Sequence, residues 1–290
     1  MRLETKPEMT GTMPNKPLKL LQLTDCHIVP EGKRLFTLDP AERLRQAVAD
    51  INRNHADAAL CVLSGDLTDA AAPEAYRSLR QILSELHVPY RLMPGNHDDR
   101  SALRAAFPDI EADEDGFLQS QLDTPAGVLL FLDTVEAGIH SGVYCKQRCR
   151  WLERALTEAK DEPVYLFLHH PPMDIGMPRL DQYRILQSEG LADVVGRFPN
   201  IRHLFFGHVH RPIAGSWLGI PLSSVPGTNH QNSLDLSEGR ANVVSLEPPA
   251  YGVILIGPDS TIVHQQSFLS DAERFHYDAQ AGAGSTQTVQ

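Results

Sequence analysis

Five short stretches of this chain carry side chains able to hold a cation or move a proton. In chain order they are Asp25-Cys26-His27, Gly65-Asp66, Gly95-Asn96-His97-Asp98, His169-His170 and Gly207-His208-Val209-His210. Two carboxylates, a carboxamide and several imidazoles are costly to bury unless they pair with one another or with a metal. The donors are oxygen and nitrogen, with a thiolate in question only at Cys26. That mix suits Mn, Fe, Co or Zn and argues against a closed structural zinc site. The inventory is large enough for two ions about 3.5–4 Å apart that share one carboxylate, as in two-metal hydrolytic sites.

Each stretch follows an apolar run rich in β-formers, so strand ends must position these groups. The runs are 18–24, 58–64, 88–93, 164–168 and 201–206. Open α/β sheets hold their ligands at the carboxyl ends of strands. Helical periodicity over 39–54 and 73–86 separates the first three runs, which predicts parallel strands joined by right-handed crossovers. Asp39-Pro40 supplies a cap and a first position for the first helix. Further helices are predicted near 101–107, 146–159 and 191–198. Runs at 116–122 and 128–133 predict a hairpin. Short runs at 213–218, 221–225, 241–246, 252–256 and 261–268 predict an antiparallel second half. The order favours an α/β fold of four layers, αββα, with two mixed sheets packed together and helices outside. A catalytic domain over 18–270 is expected between a flexible N-terminal extension, 1–17, and a flexible tail, 271–290.

The chain has 290 residues, 42% of them hydrophobic and 22% charged, which is ordinary for a soluble globular protein. Its 26 Lys and Arg against 37 Asp and Glu leave a formal charge of −11. A surface that grips nucleic-acid polymers carries a basic excess, so that partner class is excluded, while a small anionic substrate stays open if bound metal supplies local positive charge. No apolar run approaches the ~20 residues that span a bilayer, so no membrane partner is expected. The first residues are polar and lack the apolar core of a secretory signal, so the cytoplasm is the expected compartment. Cys26, Cys61, Cys145 and Cys149 form no CxxC pair and are expected as thiols there.

With the motifs D-C-H, G-D, G-N-H-D, H-H and G-H-V-H in this order from Asp25 to His210, the sequence resembles the calcineurin-like metallophosphoesterase superfamily. The resemblance implies one metal held by Asp25, His27, Asp66 and His210, and another by Asp66, Asn96, His169 and His208, with Asp66 bridging. It implies that His97 lies beside the scissile phosphate and stabilises developing charge or protonates the leaving oxygen. Water ionised on the metals, its pKa lowered from 15.7 toward ~7, would attack in line. The ions would be divalent or mixed-valence, drawn from Mn, Fe, Co or Zn.

Departures narrow the branch. Protein Ser/Thr phosphatases continue the G-D motif with a second Asp and Arg-Gly and use G-N-H-E; here Asp66 is followed by Leu-Thr-Asp-Ala. Purple acid phosphatases carry a tyrosine three residues after that aspartate, where this chain has Asp69. The segments D-x-H-I, GDLTDAAAPEAYRSLRQIL, PGNHDD, HHPP and PGTNHQ (Pro226–Gln231) are most similar to bacterial class III cyclic-nucleotide phosphodiesterases and glycerophosphodiesterases. The loop Gly32–Phe36 resembles that branch's substrate-side loop. The implied activity is hydrolysis of small phosphodiesters: 3′,5′-cyclic AMP, 2′,3′-cyclic nucleotides or glycerophosphodiesters. Alternatives are a phosphomonoesterase, a nuclease, which the acidic balance disfavours, and a non-catalytic metal-bound scaffold.

Several residues keep two readings. Asp66 is a ligand or the cap of a turn, and His97 is catalytic or structural. His230 contacts substrate or supports the metal site, or else faces solvent from its loop. Phe36 is a substrate wall or part of the core. Adjacent His169 and His170 cannot both point inward from a strand, so His169 is the expected ligand and His170 a supporting residue. Asp98 and Asp99 are expected as the cap and first-turn acid of the next helix. His140 reads as structural or exposed. The late strands leave a homodimer or higher homo-oligomer open.

Overall fold

The computed structural model describes residues 16–238 and 242–269, together with the strand backbones at 275–277 and 286–288. Of the expected N-terminal extension, 1–15 lies outside the described residues, as does most of the expected tail.

The first half follows the predicted order. It comprises β1 (Leu18–Leu23), α1 (Pro40–Asn54), β2 (Leu60–Ser64), α2 (Pro73–Leu83), β3 (Tyr90–Met93) and α3 (Arg100–Ala106). The Asp39 carboxylate accepts the N–H groups of Ala41 and Glu42 at 3.0 and 3.1 Å, and Pro40 opens α1. Cap and proline together fix where that helix begins, because each satisfies or removes an otherwise orphaned donor. Leu44, Ala47, Val48 and Ile51 then fall on one buried face.

The middle comprises β4 (Ser120–Thr124), β5 (Gly127–Leu132), β6 (Gly142–Val143), α4 (Lys146–Glu158), β7 (Val164–Leu168), α5 (Pro178–Asp181), β8 (Ile185–Leu186), α6 (Glu189–Val195) and β9 (Ile201–Phe206). Next are β10 (Ile213–Trp217), β11 (Ile220–Ser224), β12 (Gln231–Asn232), β13 (Val244–Ser245), β14 (Ala250–Ile256) and β15 (Thr261–Ser267). Within the expected tail, β16 (Phe275–Tyr277) pairs antiparallel with β17 (Thr286–Thr288).

Two large sheets result, ordered β15-β14-β1-β2-β3 and β10-β11-β9-β7-β5-β4. Three apolar layers demonstrate the αββα sandwich. Leu21, Leu63, Leu44 and Leu79 join the first sheet to its helices, and Leu130, Leu166, Leu152 and Leu191 join the second sheet to its own. Leu20, Val62, Ile254, Phe131, Phe167 and Phe205 fill the space between the sheets. The rings of Phe131, Phe167 and Phe205 stack across three neighbouring strands with centroids 5.4 and 4.6 Å apart. Strands buried on both faces read as unbroken apolar runs, which is why these strands are the ones the sequence marks most clearly.

The expected antiparallel pairing of the late strands is found between β10 and β11, β12 and β13, and β14 and β15. Within the two large sheets, however, β5, β7, β9 and β11 run parallel, so β11 departs from that expectation, and antiparallel pairing there is confined to the β4–β5 and β10–β11 hairpins and to the two strands that return beside β1. Short apolar runs mark a strand without saying which neighbour it meets. The parallel direction matters for the site, since it delivers the ends of β7 and β9 to the edge where β1, β2 and β3 also finish.

Candidate metal centre

Just beyond these strand ends the backbone turns sharply. Asp25, His27, Asp66, His208 and His210 have φ values of 54°, 46°, 48°, 69° and 49°. Left-handed geometry costs a non-glycine residue roughly 1–2 kcal/mol, and such strain persists where surrounding structure enforces it. Here the enforcement is partly a backbone ladder. Asp25 and His27 donate N–H to the carbonyls of Gly65 and Asp66 at 3.1 and 2.9 Å. Two glycines permit the close approach. A Cβ on Gly65 would lie 2.3 Å from His169 Nδ1, and one on Gly95 would lie 2.1 Å from Asp66 N.

Asp66 is central and buried. Its Oδ1 lies 3.3 Å from His169 Nε2 and its Oδ2 lies 3.6 Å from His27 Nε2, so one carboxylate faces two groups of donors. On one side, Asp25 Oδ1 is 3.3 Å from His210 Nε2, and the Nε2 atoms of His27 and His210 are 3.1 Å apart. On the other, Asn96 Oδ1 is 3.3 Å from His169 Nε2, and the His208 ring centroid is 5.1 Å from that of His169. His169 and His210 donate Nδ1–H to the carbonyls of Ser64 and His230, both at 2.8 Å. Those anchors aim each Nε2 inward, as second bonds to metal-binding imidazoles do.

Protonation shows what the cluster requires. Burial works against the charge on Asp25, but His210 and His169 outweigh it and hold the carboxyl below its usual range. Burial likewise opposes ionisation of Asp66, and His169 and His27 override it. Burial lowers His169 while Asp66 and Asp25 more than compensate, raising it to about 9. His208 is pushed down to about 3, chiefly by burial and then by His169. The carboxylates thus draw positive charge to the middle of the cluster, while both ring nitrogens of His208 are buried without a hydrogen-bond partner. A cation satisfies both demands, so the residues fit a metal site. Among the described residues, Asp25, His27, Asp66 and His210 offer ligand atoms within 4.8 Å of one another, and so do His169, His170 and His208.

The remaining sequence candidates gather at the mouth. His97 donates its backbone N–H to Asp66 Oδ1 at 2.9 Å, and its Nδ1 meets the Asp69 carbonyl at 2.6 Å. His230 is buried, with its ring 4.4 Å from that of His210. Phe36 is 48% exposed and packs on His230 at 4.8 Å, so it belongs to the mouth and not to the core. Cys26 is turned away, with Sγ 3.8 Å from Thr228 Oγ1 and its thiol pushed up to about 12 by burial. All four cysteines are free.

Two expectations are corrected and two residues are new. Asp99, not Asp98, caps α3, accepting the N–H of Ala102 at 2.8 Å. Asp98 is buried and accepts Leu67 N–H, Gly95 N–H and the Tyr76 hydroxyl at 3.0, 2.9 and 2.9 Å, which ties the Asn96 loop to the Asp66 loop. Burial and the neighbouring Asp66 push it up to about 6. His170 also reaches the cluster, with its ring 4.6 Å from that of His208. β7 ends at Leu168, so strand alternation no longer separates the two adjacent histidines. Asp69, 3.3 Å from His27 Nδ1, and His140, 3.1 Å from Asn96 Nδ2, escaped the sequence reading. The three-residue step from Asp66 was a usable signal for Asp69; His140 lies in a loop with none.

His27, Asp66, Asp69, Asn96, His97 and His210 line a cavity of about 310 Å³, together with His140, Tyr183 and Leu180. A larger cleft of about 650 Å³ lies between the Val29–Lys33 loop and helices α1 and α2. Its walls carry exposed charges of both signs and none of the converging buried donors, so it is not where the chemistry sits.

Comparison with known proteins agrees with the geometry. Residues 18–212 match the model of the calcineurin-like phosphoesterase family. A probable cyclic nucleotide phosphodiesterase of Rhodopseudomonas palustris is 41% identical over 261 residues, covering 89% of this chain and 95% of the relative. A probable glycerophosphodiester phosphodiesterase of Arcobacter nitrofigilis is 30% identical over 234 residues, covering 80% and 86%. Among solved structures, a dimetal phosphatase from Danio rerio superposes with a TM-score of 0.68 at 15% identity over 87% of this chain and 97% of that one, a likeness of fold alone. Motif order, convergent strand ends and these matches together establish that the chain belongs to the calcineurin-like phosphoesterase family.

Proposed function

We propose that this protein is a phosphodiesterase that hydrolyses small phosphodiesters at two transition-metal ions, Mn, Fe, Co or Zn, in a catalytic unit spanning 18–270. One ion would be held by Asp25, His27, Asp66 and His210, and the other by Asp66, Asn96, His169 and His208. When bound, the ions supply Lewis acidity toward the phosphoryl oxygens and a water acidic enough to ionise near neutral pH. The surrounding side chains do the rest. Asp66 and the His97 backbone lock the catalytic loop in place. With Nδ1–H given to the Asp69 carbonyl, His97 keeps Nε2 free at the mouth to exchange a proton with the leaving oxygen. Asn96 directs its amide nitrogen toward the same mouth, where it can donate to a phosphoryl oxygen. Phe36 and His230 form one wall against the leaving group.

The observation that carries the diester reading is the composition of the cavity. Among the described residues its lining contains no Lys or Arg. A dianionic monoester beside Asp66 and Asp69 lacks a side-chain cation to balance its second charge, whereas a monoanionic diester needs none beyond the metals. The names of the two sequence relatives support the same class, and cyclic nucleotides and glycerophosphodiesters are the substrates to try. No helix among the described residues is long and apolar enough to cross a membrane, and we assign the enzyme to the cytoplasm. The test compares bis(p-nitrophenyl) phosphate with p-nitrophenyl phosphate at equal metal loading. The diester is expected to be cleaved faster, and the reverse order overturns the reading.

A further inference from the structure

His170 has no part in either ligand set, yet it is fully buried and its contacts lead directly to one of the proposed ligands. Its Nε2 faces two oxygens, the His140 carbonyl at 3.2 Å and Asn96 Oδ1 at 3.1 Å. A backbone carbonyl can only accept, so Nε2 carries the proton. The Asn96 atom facing that N–H must then be the oxygen, and the amide nitrogen is left to meet His140 Nδ1 at 3.1 Å. On the other edge of the ring, Nδ1 lies 2.7 Å from Thr134 Oγ1. The His170 backbone N–H already donates to that oxygen at 3.4 Å, so the Thr134 hydroxyl proton is free to go to Nδ1.

The surroundings hold this arrangement from three directions. A Cβ on Gly142 would lie 2.7 Å from His170 Cγ, so only glycine there leaves room for the ring. The two-residue strands β6 and β8 grip both partners, since Val143 donates to the Thr134 carbonyl at 2.9 Å and Ile185 to the Pro171 carbonyl at 2.9 Å. Next to Thr134, the buried Asp133 carboxylate accepts Arg100 Nε and a guanidinium N–H at 2.6 and 2.8 Å. Arg100 opens α3, four residues after Asn96. A closed circuit therefore runs from Asn96 along the chain to Arg100, across to Asp133, on to Thr134, through His170 and back to Asn96.

We propose that His170, oriented by Thr134, is a positioning residue that sets the Asn96 carboxamide with its oxygen toward the metal centre and its nitrogen toward the substrate. The proposal rests on the two-metal reading above. A primary amide presents oxygen or nitrogen through nearly the same shape, and only the oxygen is a metal ligand. The His170 N–H chooses between them before any ion binds. Bonds of this kind behind a ligand are worth ~10–100-fold in metal affinity or activity.

The test titrates metal-free full-length protein with cobalt(II), followed by calorimetry and by the visible absorption of the ion. The parent is expected to bind two equivalents. Thr134→Val and His170→Ala should each weaken one of the two by ~10–100-fold and leave the other unchanged. His170→Gln, whose amide N–H can take over donation to Asn96, should recover most of that loss. The metal-free Thr134→Val protein should melt no more than about 2–4 °C lower, the cost of one hydrogen bond in a chain of this size. Equal weakening of both ions, or none, in Thr134→Val overturns the proposal even if His170→Ala fails to fold. A parent that takes up a single equivalent instead overturns the two-metal reading, and this proposal with it.

Discussion

The centre has two unlike halves on either side of Asp66. The half built from Asp25, His27 and His210 is rich in negative charge, with Asp25 buried in it and Asp69 at its rim, 3.3 Å from His27. The half built from Asn96, His169 and His208 has no carboxylate except Asp66, and burial keeps His208 and His170 neutral. Opposite charge at short range in a buried site is a strong source of cation affinity. Neutral donors compensate only when they are well aimed. The charge-rich half should therefore tolerate loss of a supporting bond, and the neutral half should depend on orientation. That is where His169 leans on Ser64, and Asn96 on His170.

Replacing the shared group should produce the largest effect. Asp66→Asn is expected to lose both ions on elemental analysis and to lower turnover by more than ~10³-fold, beyond the loss of a single electrostatic group. Full retention of one ion would show that the halves do not share Asp66. His97→Ala should keep both ions and slow turnover about 100-fold, with a smaller penalty on diesters whose leaving group needs no proton. An equal penalty on every leaving group would remove His97 from proton transfer. Asn96→Ala should weaken only the ion of the neutral half, by ~10–100-fold in a metal titration. Weakening of the other ion as well would mean that the halves act as one.

The smallest expected effect on metal binding lies outside the centre, at a residue that serves as a control on stability. His203, earlier in β9, is buried with its ring on Phe205 and Nε2 2.9 Å from Ser223 Oγ, and burial pushes it down to about 4. A histidine depressed in the folded state contributes stability that is complete above its unfolded pKa and is lost as pH falls through the folded value. Stability should therefore drop between about pH 6.5 and pH 4, by at most roughly 3 kcal/mol from this residue. Denaturant unfolding of His203→Gln should show a correspondingly smaller drop over the same window, with metal binding at neutral pH unchanged. An unaltered pH dependence would exclude His203 as the source.

Much of the site was legible because chemistry and local structure coincide in the sequence. Asp25, Asp66, Asn96, His169 and His208 each stand just after an apolar run that can only be a buried strand, and Gly65 and Gly95 mark the turns. Local rules failed where contacts are long-range. Alternation along a strand wrongly separated His169 from His170, because the strand had already ended. The capping rule moved Asp98 to a helix start, whereas it bridges two loops through Leu67, Gly95 and Tyr76. His140 looked like an ordinary loop histidine, since nothing nearby in sequence reveals that Asn96 lies beside it. The returning strands were recognised as strands, but their pairing beside β1 was not.

The sequence by itself determined the donor inventory, its order, and the strand-then-turn geometry that exposes each donor. These follow from short-range sterics and the burial of apolar runs, which are properties of neighbouring residues. Only the tertiary structure decided that β7 and β9 finish beside β1, β2 and β3. It alone forced Asp25, His27, Asp66, His208 and His210 into left-handed backbone, divided the centre into a charged and a neutral half, and turned the His170 N–H toward Asn96. The reason is physical. Those outcomes depend on how two sheets pack across a shared layer of Leu20, Val62, Phe131 and Phe167, and packing between distant segments has no local signature to read.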